Sequence, residues 1–118
     1  MKSKQSSELE KRFMDFGISI VKFSATLSEL PPSIIDQIIR SSTSIGANYA
    51  EAQDAVSRAD FKHKIAISKK EASETRYWLR VIEQLSNADL VTPYLQESQE
   101  IILILQKIIN TLRSRPAT

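Results

Sequence analysis

Few residues in this 118-residue chain could support catalysis. It contains a single histidine, His63, and no cysteine. A dinuclear metal site in a helical bundle uses two Glu-x-x-His pairs and two further glutamates, so one histidine excludes the usual form of that site. A Ser-His-Asp triad would depend on the same histidine, without a strand-turn-helix segment to present the serine.

Two glutamates and two glycines are further candidates for a catalytic or phosphate-binding site. Glu71 and Glu74 lie on one side of a predicted helix and could act as an acid-base pair, although ion pairing with nearby cations is the simpler interpretation. Gly17 and Gly46 are isolated within helical segments, so they form no Gly-rich loop for nucleotide phosphates. The sequence therefore predicts a non-enzymatic protein with no catalytic residue, metal site or cofactor.

Basic residues are concentrated in one segment. Residues 57–82 contain seven Lys or Arg against three acidic residues, whereas the whole chain carries a net charge of only +2. At about 100° per residue, five of these cations project within about 40° of one another on one helix face. This basic stripe is either a site for nucleic-acid phosphates or an ordinary solvated face, and consists of Arg58, Lys62, Lys69, Arg76 and Arg80.

Four helices are predicted to position these residues. Apolar residues spaced by four and three, with serine or threonine at the helix starts, predict helices over residues 7–29, 33–56, 58–86 and 93–113. Pro31 and Pro32 separate the first two helices, and Pro93 is placed in the first turn of the last one. Short connections predict an all-α, antiparallel up-and-down four-helix bundle, as a single domain over residues 1–118.

The ends of two apolar seams and the last helix carry further predictions. Leu27 and Leu30 close the seam of the first helix, and Val56 is assigned to the apolar face of the second.

Apolar residues cover more than half of the circumference of the last helix. This exceeds the need of a lone bundle and indicates a subunit interface. Two alternative pairs are predicted to face another subunit, Ile101 with Leu105 or Ile104 with Ile108.

Charged side chains also fall within the apolar arc of the third helix. Lys64 and Glu71 project into that arc, where an unpaired charge would cost several kcal/mol. They are expected to pair with each other, with Arg40 and Glu51 of the second helix, or across a subunit boundary. Arg40, Asn48 and Glu51 share one side of the second helix, which either fixes the register between packed helices or is solvated.

Composition also bears on location. The chain begins without an apolar segment of signal-peptide length and lacks a run long enough to span a bilayer. We therefore expect a cytoplasmic protein with no membrane partner.

Two stretches resemble a known family. They are residues 40–52, RSSTSIGANYAEA, and residues 60–79, DFKHKIAISKKEASETRYWL. The chain resembles the bacterial four-helix-bundle proteins encoded in intervening sequences of 23S ribosomal RNA genes. The likeness is close over the second and third helices and extends in pattern over the whole length.

This resemblance implies an antiparallel four-helix bundle that assembles into a ring-shaped homopentamer. The accessory variability determinant of diversity-generating retroelements resembles the same fold, and it associates with a reverse transcriptase and nucleic acid. The matched residues have no recognised catalytic role in the family and are interpreted as packing and interface residues: Arg40, Asn48, Glu51, Lys64, Glu71, Glu74, Tyr77 and Trp78.

Two functional hypotheses follow. The first is a cytoplasmic homo-oligomer, expected to be pentameric, that binds RNA or DNA through repeated basic stripes. The alternative is an interaction scaffold for a protein such as a polymerase or reverse transcriptase, with the basic stripe serving solubility.

Overall fold

The computed structural model describes residues 3–115, which form four α-helices in an elongated bundle of 52 × 24 × 22 Å. The helices are α1 (Lys4–Ser24), α2 (Pro32–Gln53), α3 (Arg58–Leu85) and α4 (Ala88–Ser114). Consecutive helices pack along their lengths, whereas α1 and α4 touch at only a few positions. The predicted all-α, antiparallel four-helix bundle is thereby confirmed.

A shared apolar core holds the four helices together. Each helix contributes side chains that are completely removed from solvent, and this burial is the main source of the bundle's stability. The fully buried hydrophobic positions are Phe13, Ile20, Ile38, Ile45, Ile65, Ala72, Leu79, Ile82, Val91, Ile101 and Leu105.

Helix α1 begins and ends earlier than predicted. Its N-cap is Ser3, whose side chain accepts a hydrogen bond from the amide of Ser6, so the predicted start at residue 7 is wrong. The helix ends at Ser24, because the chain turns before the two prolines. Leu27 and Leu30 remain buried as predicted, but they reach the core from this turn instead of from the helix.

Helix α2 and helix α3 meet at a short connection. Helix α2 begins at Pro32, where the missing amide hydrogen costs nothing, and ends at Gln53, three residues before the predicted boundary. Val56 therefore leaves the helix and is 94% exposed, so its assignment to the apolar face is wrong. Ser57 caps α3 by accepting from the amide of Asp60, which confirms the predicted start at Arg58.

Helix α4 begins one turn earlier than predicted. Asn87 is its N-cap and accepts from the amide of Asp89, which leaves Pro93 inside the helix. Pro93 is the sixth residue of α4, so it removes the one hydrogen bond that an amide at this position would donate to the carbonyl of Asp89. The added turn buries Val91 completely, and this packing explains why the helix does not begin at Pro93.

Candidate nucleic-acid interface

The basic stripe runs along α3 from Arg58 to Arg80, a length of about 33 Å at 1.5 Å per residue. Arg58, Lys62 and Arg80 are exposed, whereas Lys69 and Arg76 are half-buried. Among the residues that the structure describes, Lys62 and Lys69 form no ion pair, so both ammonium groups remain available for phosphates.

Arg58 also has a structural role that its spacing did not indicate. Its guanidinium donates a hydrogen bond of 2.8 Å to the carbonyl oxygen of Leu112 and a longer one, 3.4 Å, to that of Arg115. A cation at these carbonyls complements the negative end of the α4 dipole. The same contacts place the backbone of Arg115, the residue after α4, beside the beginning of the basic stripe.

The two remaining arginines differ in their surroundings. Arg76 lies beside Leu95 and Glu100 of α4, and its buried Nε has no hydrogen-bond partner among residues 3–115. Arg80 lies one turn further along, with its Nε 3.8 Å from a carboxylate oxygen of Glu83. This distance indicates a weak surface ion pair that leaves most of the guanidinium available.

A second charged group, which we call the Arg40 network, joins α2 to α3. Arg40 donates to the carboxylate of Glu71 at 2.9 Å and also to that of Glu74, which in turn accepts a 3.1 Å hydrogen bond from Nε1 of Trp78. The hydrogen bond from Arg40 lowers the pKa of Glu74. The same hydrogen bond, which Arg40 donates to Glu74, is the main cause of the raised pKa of Arg40.

Lys64 completes the pairing between these helices. Its ammonium donates to a carboxylate oxygen of Glu51 at 3.0 Å, and this hydrogen bond raises the pKa of Lys64. Of the three pairings left open by the sequence, the structure contains the one in which Lys64 and Glu71 bind Glu51 and Arg40 of α2.

The hydrogen bond of the Asn48 side chain lies within its own helix. Its side-chain amide donates to the carbonyl of Ser44 in the same helix at 2.9 Å. The buried polar contacts between α2 and α3 come instead from hydroxyl groups: Ser68 donates to the carbonyl of Ile45 at 2.8 Å, and Thr75 donates to the hydroxyl of Ser41 at 2.9 Å. Sequence analysis missed these bonds, although hydroxyl residues within an apolar seam are their signal.

Tyr77 and Trp78 are neighbours with different environments. Trp78 is half-buried against the core, as a packing residue would be. Tyr77 is 60% exposed, so it does not pack in the core of the single chain, and its assignment as a packing or interface residue stays a prediction. Its ring meets the ring of Trp78 edge-on at a centroid distance of 5.0 Å.

The two predicted interface pairs of α4 differ in their exposure to solvent. Ile101 and Leu105 are completely buried within the chain, so they belong to the core and not to a subunit interface. Ile104 and Ile108 are half-buried and keep some surface for a partner. Leu103, on the same part of α4, is more exposed, at 59%.

Two further features of α1 were missed by sequence analysis. Arg12 binds the carboxylate of Glu97 through two hydrogen bonds, of 2.9 and 2.7 Å, and thereby links α1 to α4. On the other side of α1, the exposed side chains of Met14, Ile18 and Val21 form an apolar ridge. The 3.6-residue period placed these three away from the core, but it gave no reason for them to be apolar.

Comparison with known proteins places the chain in a family. The sequence model for the 23S rRNA-intervening sequence protein family matches residues 5–111. The chain belongs to this family. A solved structure, described as a protein of unknown function from the S23 ribosomal protein family of Bacteroides thetaiotaomicron VPI-5482, is 35% identical. The match covers 85% of this chain and 96% of that one, with a TM-score of 0.79.

Membership of the 23S rRNA-intervening sequence protein family confirms the resemblance found over residues 40–52 and 60–79, since the match includes both stretches. No curated protein matches the chain. Within residues 3–115, no helix is long and apolar enough to cross a membrane. The same residues contain no group of three or more His, Cys, Asp or Glu side chains that could hold a metal ion.

Proposed function

We propose that this member of the 23S rRNA-intervening sequence protein family is a non-enzymatic, cytoplasmic homopentamer that binds RNA or DNA through the basic stripe. The observation that carries this proposal is the line of five cations along about 33 Å of one helix. Lysine ammonium groups and arginine forks bind phosphates without reading base sequence. The family's description refers to 23S rRNA, which makes RNA the first ligand to test.

Repetition strengthens such an interface. One stripe offers few phosphate contacts, but several stripes in a ring would bind one strand with a raised effective concentration. We propose that Ile104 and Ile108 face the neighbouring subunit, because they are the predicted pair that retains surface in the chain.

The non-enzymatic part of the proposal is supported by the carboxylates themselves. Glu71 and Glu74 both bind Arg40, so their charges are engaged in holding two helices together. Loss of an activity on changing Glu71 to Gln, with the fold intact, would contradict this part.

The test of nucleic-acid binding is charge reversal on the basic stripe. We expect the triple variant Lys62→Glu, Lys69→Glu, Arg76→Glu to weaken RNA binding at least about tenfold and to flatten its salt dependence. Fluorescence anisotropy with labelled RNA measures both effects, and light scattering coupled to size exclusion shows whether the oligomer is unchanged.

The matched control reverses three exposed lysines on α1, Lys4, Lys11 and Lys22. It alters the net charge equally, so a loss of affinity caused by total charge alone would appear in both triples. If the stripe variant binds RNA as tightly as the parent, the proposed site is wrong.

The alternative function, a scaffold for a polymerase or reverse transcriptase, is favoured by one observation. The apolar ridge of Met14, Ile18 and Val21 is the kind of surface that protein partners cover. This function predicts little RNA affinity at about 150 mM salt. It also predicts a protein partner whose binding to the chain withstands nuclease treatment and is lost when Ile18 is changed to Glu.

A further inference from the structure

Tyr77 is an exposed aromatic residue at the edge of the basic stripe. It shares one shallow surface depression with Arg76 and Arg80, and the rim of this depression carries the polar side chains of Ser73 and Gln84. Most of the tyrosine ring is open to solvent. An exposed aromatic ring beside cationic side chains is the arrangement with which proteins stack an unpaired base and bind the strand's phosphates.

The Tyr77 ring contacts a neighbouring side chain that is itself hydrogen-bonded. Trp78 contacts it edge-on, and the indole is itself fixed by its hydrogen bond to Glu74. Glu74 is fixed in turn by Arg40 of α2. The Arg40 network therefore supports Tyr77 from a second helix and reduces the freedom that the ring would lose on binding a base.

The chemistry of the depression favours single strands over duplexes. Bases in a duplex are already stacked on their neighbours and offer no free face to a protein side chain, whereas unpaired bases do. The cations of the stripe alone would bind both forms through their phosphates.

We infer that Tyr77 is a stacking platform for an unpaired nucleobase, and that Arg76 and Arg80, on the basic stripe beside it, bind phosphates of the same strand. This inference rests on the proposed function, because the remainder of the basic stripe must hold the strand. It specifies the ligand as single-stranded RNA or DNA, or a single-stranded loop within a folded RNA.

The test compares labelled oligo(U), oligo(dU) and an RNA duplex of equal length by fluorescence anisotropy. We expect Tyr77→Ala to weaken single-strand binding about tenfold and to leave duplex binding within about twofold. Tyr77→Phe keeps the aromatic face and should bind like the parent. Leu103→Ala, which removes a similarly exposed side chain from α4, is the matched control.

Intrinsic fluorescence provides a second measurement. Trp78 is the single tryptophan of the chain, and its ring lies 5.0 Å from that of Tyr77. A base stacked on Tyr77 should change the Trp78 emission, whereas inorganic phosphate should not. The two single-stranded arms show whether the platform distinguishes RNA from DNA.

The outcomes separate the two proposals. If single strands and duplex bind equally and Tyr77→Ala changes neither, the platform is refuted while the basic stripe stands. If no nucleic acid binds the parent protein, the proposed function fails and the platform fails with it. Selective loss of single-strand binding in Tyr77→Ala, restored in Tyr77→Phe, supports both.

Discussion

Replacing Arg40 by methionine should destabilise the bundle by about 2 kcal/mol. Methionine keeps much of the side-chain length but leaves Glu71, whose side chain is only 9% exposed, without its cation. A hydrogen bond to a charged group contributes about 1.5 to 3 kcal/mol, and the 48% exposure of Arg40 places the loss toward the lower part of that range.

Urea denaturation followed by far-UV circular dichroism, at fixed protein concentration, measures this loss. The control is Lys11→Met, which removes a cation from an exposed pair with Asp15 one turn away on α1 and should cost about 0.3 kcal/mol. Adding Glu71→Gln to Arg40→Met should recover about 1 kcal/mol, because the buried negative charge is then removed as well. The reasoning is refuted if Arg40→Met costs no more than Lys11→Met.

The same network predicts a pH dependence. The pKa of Glu74 is lowered in the folded state, first by its hydrogen bond from Arg40. A group with a lowered pKa stabilises the fold above its unfolded pKa, about 4.3 for glutamate, and this stability is lost as the pH falls through the folded value. The stability difference between the parent and Arg40→Met should therefore narrow below about pH 4; a difference that widens on acidification would contradict the assignment.

Three further predictions concern packing and assembly. Gly46→Val should destabilise the fold by about 1 to 3 kcal/mol, measured by urea denaturation, because a Cβ at Gly46 already lies 3.3 Å from the backbone nitrogen of Met14. Leu79→Ala should cost about 3 kcal/mol in the same assay, since this side chain is fully buried; a cost below 1 kcal/mol would show that the core is loosely packed. Ile104→Lys with Ile108→Lys should give a folded monomer by light scattering, whereas Leu103→Lys should leave the oligomer unchanged. An unfolded double variant, or an intact oligomer, would show that Ile104 and Ile108 do not form the interface.

Helix α3 shows how far sequence patterns reach. Its start at Arg58 followed from the Ser57 cap and its stripe from the helical period, and both are local properties of the chain. The double role of Arg58 did not follow, because the carbonyls that it binds belong to residues more than fifty positions away. Tyr77 shows the same limit: the sequence identified it within a motif, but only the packed structure shows that its ring faces solvent beside Arg76 and Arg80.

The sequence by itself determined the number of helices, the antiparallel order and most of the core, because apolar periodicity and short connections leave a four-helix chain few other ways to bury its surface. The end of α1 and the start of α4 differ from the predicted positions, and at both places tertiary packing buries an apolar side chain, Leu27 and Val91. Tertiary packing also decided which charged side chains pair with each other. Lys64 and Glu71 had several possible partners by spacing, and only the approach of α2 to α3 placed Glu51 and Arg40 within hydrogen-bond distance.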